Sequence, residues 1–225
     1  RFIEQHTHTQ MVSLAGNFDV DKKPSWLNFI SGRGKKVWAE ATIPHDVLST
    51  VLKTTAHDIY EVWLTKCMQG SALSGSMGYN CHFANVVAAL FAATGQDLAH
   101  VVEGSLGITS VEVIHQGLRT KNQECRNEIG IQNTKYKILD TKDDLYISIY
   151  MPDVMVGTVG GGTGLATQKE TLNILGVAGG DKGNNALRLA EVLGGAVLAG
   201  ELSLLASLAQ GSLAQAHKKL ARGSV

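Results

Sequence analysis

The sequence has little of three features that would assign it to a protein class: net charge, cysteine and long apolar runs. Twenty Lys and Arg residues balance twenty Asp and Glu residues, which argues against nucleic acid as the main partner. The three cysteines, Cys67, Cys81 and Cys125, are an odd number without metal-ligand spacing. They predict free thiols in a reducing, intracellular compartment rather than a disulfide framework, and no metal site.

The apolar runs are too short for a membrane span. The longest uncharged ones, residues 83–94 and 192–200, fall well below the roughly 20 residues that a helix needs to cross a bilayer. The first residues are polar and lack the apolar core of a signal peptide. We therefore expect no membrane contact from this chain, while an upstream part of a longer protein could still carry an anchor.

What is present suits an α+β globular protein. The chain has 225 residues, 44% of them hydrophobic, and 25 glycines against 3 prolines, which fits one large domain or one and a half. The absence of an initiator methionine suggests a piece of a longer protein. We expect residues 1–15 to be the exit from a preceding subdomain and residues 16–225 to form a large, mostly helical domain with a small sheet. Apolar periodicity predicts central helices at 79–94 and 184–217 and strands at 36–43, 108–114 and 145–151.

A polar, aperiodic segment at about residues 115–144 separates the last two of these strands. It is typical of a surface insertion or a partly disordered loop. An unspliced intron read as protein would also explain it. The strands on either side are expected to pair as neighbours.

Residues 16–24, Gly-Asn-Phe-Asp-Val-Asp-Lys-Lys-Pro, concentrate charged and turn-forming residues. The Gly-Asn pair favours a turn, and the closing proline pushes the residue before it towards an extended backbone, which predicts a loop for Lys22 and Lys23. Two aspartates, Asp19 and Asp21, are near enough to compensate the adjacent ammonium groups. Such a lysine can be aimed at an oxyanion or an anionic substrate. A solvated charged loop is the simpler alternative.

The predicted helix at 79–94 carries two polar residues on one face, His82 and Asn85, because they lie three positions apart. Gly95 is expected to end this helix and to leave Asp97 just beyond it. Each residue has an ordinary interpretation beside the functional one. A buried histidine is more often a satisfied core residue, and an acid after a helix is more often solvated.

Two further stretches could bind or protonate a ligand. The glycine-rich residues 157–164 lie between a predicted strand and helix and could expose backbone N–H groups to a phosphate or carboxylate. They lack the spacing of the usual dinucleotide fingerprint, and a tight turn without a ligand fits equally well. His217 lies in a basic helix end, where it is either a partner of the helix dipole or a proton donor.

Five sequence blocks occur in one order: GNFDVDKKP, SALSGSMGYNCHFAN, ATGQD, DLYISIYMPDVMVGTVGGGTG and AGELSLLASLAQGSLAQAH. Together they strongly resemble the catalytic portion of hydroxymethylglutaryl-coenzyme A (CoA) reductase, in the class found in eukaryotes and archaea. The resemblance runs from about Met11 to His217 and is broken only by the polar segment.

The resemblance implies reduction of hydroxymethylglutaryl-CoA to mevalonate and CoA with two NADPH. Lys22 matches the lysine that stabilises the thioester oxyanion, Asp97 the aspartate of its hydrogen-bonded network, and His217 the histidine that protonates the departing thiolate. Other positions are similar to those that bind the substrate or support the lysine, and a glycine-rich group falls in the loop associated with the nicotinamide cofactor. The first set is Asn17, Asp21, Lys23, Lys66, His82 and Asn85; the second is Gly160, Gly161, Gly162 and Thr163.

The family assembles its site at a dimer interface, which implies a homodimer or a dimer of dimers. It also allows a parent protein anchored in the endoplasmic reticulum membrane, with this part facing the cytoplasm. Its catalytic glutamate and most of its small cofactor domain belong to upstream segments that do not occur here, so we expect the isolated chain to hold only part of the active site. Residues 100–105 also depart from the family pattern after Asp97. A truncated, non-catalytic paralogue that pairs with complete subunits is the alternative.

Overall fold

The computed structural model describes residues 2–13, 16–115 and 142–211. They form an α+β fold with a small mixed sheet, as expected. His217, most of the polar segment and the predicted boundary at residue 15 lie outside the described residues. The helices are α1 (Phe2–His6), α2 (Trp26–Ser31), α3 (His45–Val47), α4 (Ala56–Val62), α5 (Ser71–Leu73), α6 (Phe83–Thr94), α7 (Val101–Gly104), α8 (Ala166–Ile174) and α9 (Asn184–Ala209), and the strands are β1 (Lys35–Ile43), β2 (Gly78–Tyr79), β3 (Gly107–Ile114) and β4 (Asp144–Val154).

Local sequence chemistry sets several of these boundaries. Ser25 caps α2 by accepting a hydrogen bond from the Leu27 N–H group at 3.2 Å. Thr55 caps α4 in the same way. Gly95 ends α6 in the left-handed region, with φ at 71°. Two π-helical stretches, Leu48–Leu52 and Trp63–Gly70, continue α3 and α4.

The four strands lie in the order β1, β4, β3, β2. β4 pairs antiparallel with both β1 and β3, and β2 adds a short parallel pairing to β3. The strands on either side of the polar segment are therefore neighbours, which confirms the sequence-based expectation. Ile114 and Asp144 form the last residue pair between β3 and β4, so the chain leaves and re-enters the sheet at the same end of these two strands.

The predicted helix at 79–94 begins later than expected, at Phe83. Gly78 and Tyr79 pair with β3 as β2 and therefore cannot join the helix. His82 becomes the residue that precedes the first turn. Within α6, Phe83, Val87 and Phe91 are fully buried, in agreement with a central position in the core.

Helix α9 forms the other side of the core. It packs against β1, α6 and α4, and a Cβ atom built on Gly194 would lie 2.5 Å from a methyl group of Val37 on β1. Gly194 therefore permits close packing of α9 against β1. By length and composition alone, Asp181–Ala209 would suffice to cross a membrane, but this helix is a packed core element here. The apolar pattern of α9 predicts that Glu191 and Glu201 are at least partly buried. Glu201 is fully buried, whereas Glu191 is exposed.

Candidate active site

The lysine loop, residues 16–24, is held against α2 by one buried amide. Asn28 donates from Nδ2 to the carbonyl oxygen of Val20 at 3.0 Å and to that of Lys23 at 2.7 Å. The backbone is left-handed at Asn17, Val20 and Lys22, with φ of 57°, 54° and 57°. A β-branched residue such as valine adopts this region only when surrounding contacts hold it there. Both lysines lie in a loop, as predicted, and these contacts hold its backbone in place.

Lys22 lies between two carboxylates. Its Nζ atom is 3.1 Å from Oδ2 of Asp97 and 3.3 Å from Oδ2 of Asp21. The hydrogen bond to Asp97, followed by that to Asp21, raises the pKa of Lys22. The pKa of Asp97 is lowered first by the Ala99 N–H group, which donates to Oδ1 at 3.0 Å, and then by Lys22. Residues from two distant blocks thus meet as one charged group.

A second set of residues surrounds this group. Glu103 of α7 is fully buried, and its Oε1 atom accepts the backbone N–H of Lys22 at 2.5 Å. Nη2 of Arg33 lies 3.4 Å from the same oxygen and 2.6 Å from Oδ1 of Asp21. The Arg33 guanidinium is the main cause that lowers the pKa of Asp21. His100 Nδ1 lies 3.4 Å from the other Glu103 oxygen.

Asp153, at the end of β4, adds another buried carboxylate. Its Oδ1 atom accepts the backbone N–H of Gly34 at 2.5 Å, and burial is the main cause that raises its pKa. A Cβ atom on Gly32 would lie 2.7 Å from the Asp153 side chain, and one on Gly34 2.6 Å from Oδ1. The glycines that end α2 therefore let the chain pass directly over this acid.

Two clefts flank the lysine loop. One, of about 970 Å³, is lined by Pro24 of the loop together with Lys66 and Asn80. The other, of about 630 Å³, is lined by Asp97, His100 and the glycine-rich residues, which include Gly160, Gly161, Gly162 and Thr163. Lys22 bonds to Asp97 at the second cleft, and Pro24 borders the first, so the loop lies between them.

The glycine-rich segment is fixed against the end of α6. The Gln96 side chain makes two hydrogen bonds to the backbone of Gly157. Its Oε1 atom accepts the Gly157 N–H at 2.8 Å, and its Nε2 atom donates to the Gly157 carbonyl oxygen at 2.9 Å. A Cβ on Gly95 would collide with the backbone of Gly162. Gly160 and Gly161, by contrast, have open space where a side chain would stand and positive φ angles of 80° and 55°. This part of the cleft wall is bare backbone, which suits close approach of a ligand.

His82 and Asn85 form a separate pair. Asn85 Nδ2 lies 3.1 Å from His82 Nδ1, and neither side chain is among those that line the two clefts in the described part of the chain. Glu201 of α9 fixes the start of α6 by accepting the N–H groups of His82 at 2.5 Å and Cys81 at 3.0 Å. The remaining site candidates, Asn17 and Lys23, are exposed at the two ends of the loop.

Comparison with known proteins decides the family. The family model described as hydroxymethylglutaryl-coenzyme A reductase matches residues 1–222. The chain belongs to this family. It is 48% identical over 221 residues to the reductase of Pyrococcus abyssi and 45% identical over 221 residues to that of Methanothermobacter thermautotrophicus, covering 97% and 98% of this chain but 48% of each relative.

The plant reductase 1 of Oryza sativa subsp. japonica is 45% identical over 218 residues, which cover 95% of this chain and 36% of the relative. The chain thus spans less than half of the length of these three relatives. Archaeal and plant reductases both match, in agreement with the resemblance to the eukaryotic and archaeal class.

Sequence reasoning about this reductase-family chain missed two residues that support the Lys22 backbone, Glu103 and Arg33. Glu103 lies in the segment 100–105 that departs from the family pattern, and Arg33 lies just beyond α2. The sequence indication is an acid among Val101, Val102 and Leu106, since an acid that becomes buried there requires partners. Those partners are 70 and 81 residues away in sequence, too far for any local pattern to reveal.

Proposed function

We propose that this chain supplies the substrate-binding part of an NADPH-dependent reductase that converts hydroxymethylglutaryl-CoA to mevalonate and CoA. The observation that carries the proposal is the Lys22 ammonium, held by Asp97 and Asp21 beside a cleft with a bare glycine wall. In this assignment residues 16–225 belong to the large catalytic domain. Residues 1–15 are the end of the small cofactor domain and its connection.

The chemistry requires a fixed cation. When a hydride reaches the thioester carbon, negative charge develops on the carbonyl oxygen, and a pre-positioned ammonium stabilises that charge. The raised pKa of Lys22 keeps it protonated at neutral pH. Asp97 and Asp21 orient the ammonium while the buried Glu103 fixes the backbone that carries it. In the second reduction the same ammonium can donate a proton to the aldehyde oxygen, which becomes the alcohol.

The second cleft fits the nicotinamide end of the cofactor. Two NADPH molecules, bound in succession, would each supply one of the two hydrides. Gly160, Gly161, Gly162 and Thr163 would hold the cofactor, because the open glycines allow a flat ring to approach the backbone and Asp97 lies in the same cleft. Apolar side chains in the cleft, Phe91 and Val156 among them, would exclude water from the ring.

The first cleft fits the acidic substrate. Lys66 lines it next to small residues and Asn80, so its ammonium would bind a carboxylate of the hydroxymethylglutaryl group. Asn17, Lys23, His82 and Asn85 are assigned to the same substrate by resemblance, and His217 to protonation of the CoA thiolate. His82 and Asn85 line neither cleft within one described chain. We infer that they act towards a second subunit in a homodimer or a dimer of dimers.

The experiment compares variants of the full-length protein that contains this chain. Lys22→Met should lower kcat for NADPH oxidation with hydroxymethylglutaryl-CoA by at least about 10²–10³-fold, the cost of removing one oxyanion donor. Lys36→Met, at an exposed lysine on β1, is the matched control and should retain activity. Wild-type kcat in the Lys22 variant would reject the proposal. A wild-type protein that shows no turnover but associates with complete reductase subunits would instead support the non-catalytic alternative.

The compartment follows the same family assignment. We infer an intracellular enzyme, and an anchor in the endoplasmic reticulum membrane stays a prediction about the longer parent protein.

A further inference from the structure

A second cluster of chemically active side chains lies away from both clefts. Nε2 of His57, on α4, is 3.3 Å from Oδ2 of Asp143, and Nδ1 of His115 is 3.1 Å from the same oxygen. The two imidazole rings are tilted by 39° with their centroids 5.9 Å apart. All three donor atoms lie within 4.8 Å of one another. Two imidazole nitrogens therefore converge on one carboxylate oxygen.

The sheet register brings two of these residues together. Ile114 and Asp144 are the last pair between β3 and β4, so His115 and Asp143 are the next residues on each strand. α4 packs against β3 and supplies His57. The cluster thus joins three segments that come from separate parts of the chain. Its geometry depends on the fold and not on a local turn.

The distances match a metal-binding arrangement. Ligand atoms about 2.05 Å from a tetrahedral Zn²⁺ ion are about 3.3 Å from one another. The two observed nitrogen–oxygen separations, 3.1 and 3.3 Å, lie close to this value.

The donor set and its burial fit the same ion. Imidazole nitrogen and carboxylate oxygen are ligands that Zn²⁺ and neighbouring divalent transition metals prefer. Asp143 has only 5% of its side chain exposed, whereas His57 and His115 are about half exposed, at 49% and 50%. A buried anion with two accessible imidazoles in front of it attracts a cation and leaves a path for it to enter. The fourth ligand would be water.

The cluster is remote from the proposed catalytic group. Glu103 on α7 precedes the start of β3, and His115 follows its end. The eight residues of β3 separate them by about 25 Å at roughly 3.3 Å per residue. An ion there would not touch the reacting atoms.

We propose that His57, His115 and Asp143 form a structural site for a divalent transition-metal ion of the Zn²⁺ type. The ion would link α4 to the residues at the end of β3 and the start of β4. This inference does not depend on the proposed reductase activity.

The test measures metal binding by the full-length protein after dialysis against a chelator. Wild-type protein should take up Co²⁺ with visible d–d bands of a tetrahedral nitrogen and oxygen site and without a thiolate charge-transfer band. Titration calorimetry with Zn²⁺ should show a site whose affinity falls in His57→Ala and in His115→Ala. The fall should exceed the roughly 10–100-fold that loss of an outer-shell partner costs.

Matched variants separate this site from others in the protein. His8→Ala, at another exposed histidine, should bind both ions as the wild type does. Asp143→Asn should also weaken binding, but the two histidine variants decide the matter because their side chains are half exposed and tolerate substitution. Equal Co²⁺ uptake by the wild type and the double variant His57→Ala/His115→Ala would overturn the proposal. Absence of uptake by the wild type would do the same, and would leave the cluster as an ion-pair group.

Discussion

Glu103 offers the sharpest test of how the fold supports Lys22. Within the described residues this fully buried carboxylate accepts the backbone N–H of Lys22, and it also faces Arg33 and His100. Glu103→Ala removes the acceptor and leaves a backbone donor without its partner. A lost hydrogen bond to a charged group costs about 1.5–3 kcal/mol, and the cavity adds to it. We expect a total loss of about 2–4 kcal/mol in the free energy of unfolding.

Glu103→Gln provides the comparison. The amide keeps an oxygen at Oε1 for the Lys22 N–H and removes only the negative charge. The Arg33 side chain still lies 2.6 Å from Asp21 and is 41% exposed. Asp21 and solvent therefore still balance the positive charge of its guanidinium group. The expected loss is about 1 kcal/mol. The two variants should therefore differ by about 1–3 kcal/mol, with alanine the less stable.

The same difference should appear in catalysis. The left-handed backbone at Lys22 is held in part by Glu103, so its loss should let the loop relax and misplace the ammonium. At about 1.4 kcal/mol per factor of ten, kcat of the full-length protein should fall by roughly 10–100-fold in Glu103→Ala and by less than about tenfold in Glu103→Gln.

Urea unfolding and NADPH oxidation measure the two effects. Glu191→Ala, at an exposed glutamate on α9, should change neither. Equal stability of the alanine and glutamine variants would refute the reasoning, because the backbone acceptor would then have no measurable role.

Three further predictions follow from other contacts. The stability difference between wild type and Lys22→Met should be constant from roughly pH 5 to 9. Because the pKa of Asp97 is lowered, its contribution to stability is present above about pH 3.8 and is lost at lower pH; because the pKa of Lys22 is raised, its contribution is present below about pH 10.5 and is lost at higher pH. A maximum of the difference near pH 7 in urea titrations would contradict this. Gly194→Ala should lower the free energy of unfolding by about 1–3 kcal/mol because the new methyl group would lie 2.5 Å from Val37 on β1, whereas Gly195→Ala, with open space, should stabilise α9 by up to about 1 kcal/mol. Thermal unfolding measures both variants, and similar shifts in their unfolding temperatures would argue against close packing at Gly194. His217→Ala should impair reduction of the thioester more than that of free mevaldehyde, and equal losses in steady-state rates would remove the proton-donor role.

Much of the fold was predictable because its boundaries depend on nearby residues. Ser25 accepts a hydrogen bond from a residue two positions later, and Gly95 adopts a conformation that few other residues tolerate. The alternation in 36–43 placed one face of β1 against the core. The predicted start of α6 was wrong by four residues because Gly78 and Tyr79 pair with the neighbouring strand β3, and this long-range pairing overrides local helical periodicity.

The candidate site divides in the same way. The motif blocks assign Lys22 and Asp97 to the candidate site by resemblance, and the structure places their charged atoms 3.1 Å apart. Nothing in the sequence distinguished buried Glu201 from exposed Glu191, since both occur in the same helical pattern.

The sequence by itself determined the family, the turns and caps, and the residues that carry charge in the lysine loop, because these depend on residue type and short spacing. Only the tertiary structure decided which acids surround Lys22, that the loop lies between two clefts, and that His57, His115 and Asp143 meet at the edge of the sheet. Those arrangements join residues tens of positions apart, and chain packing alone brings such residues within hydrogen-bonding distance.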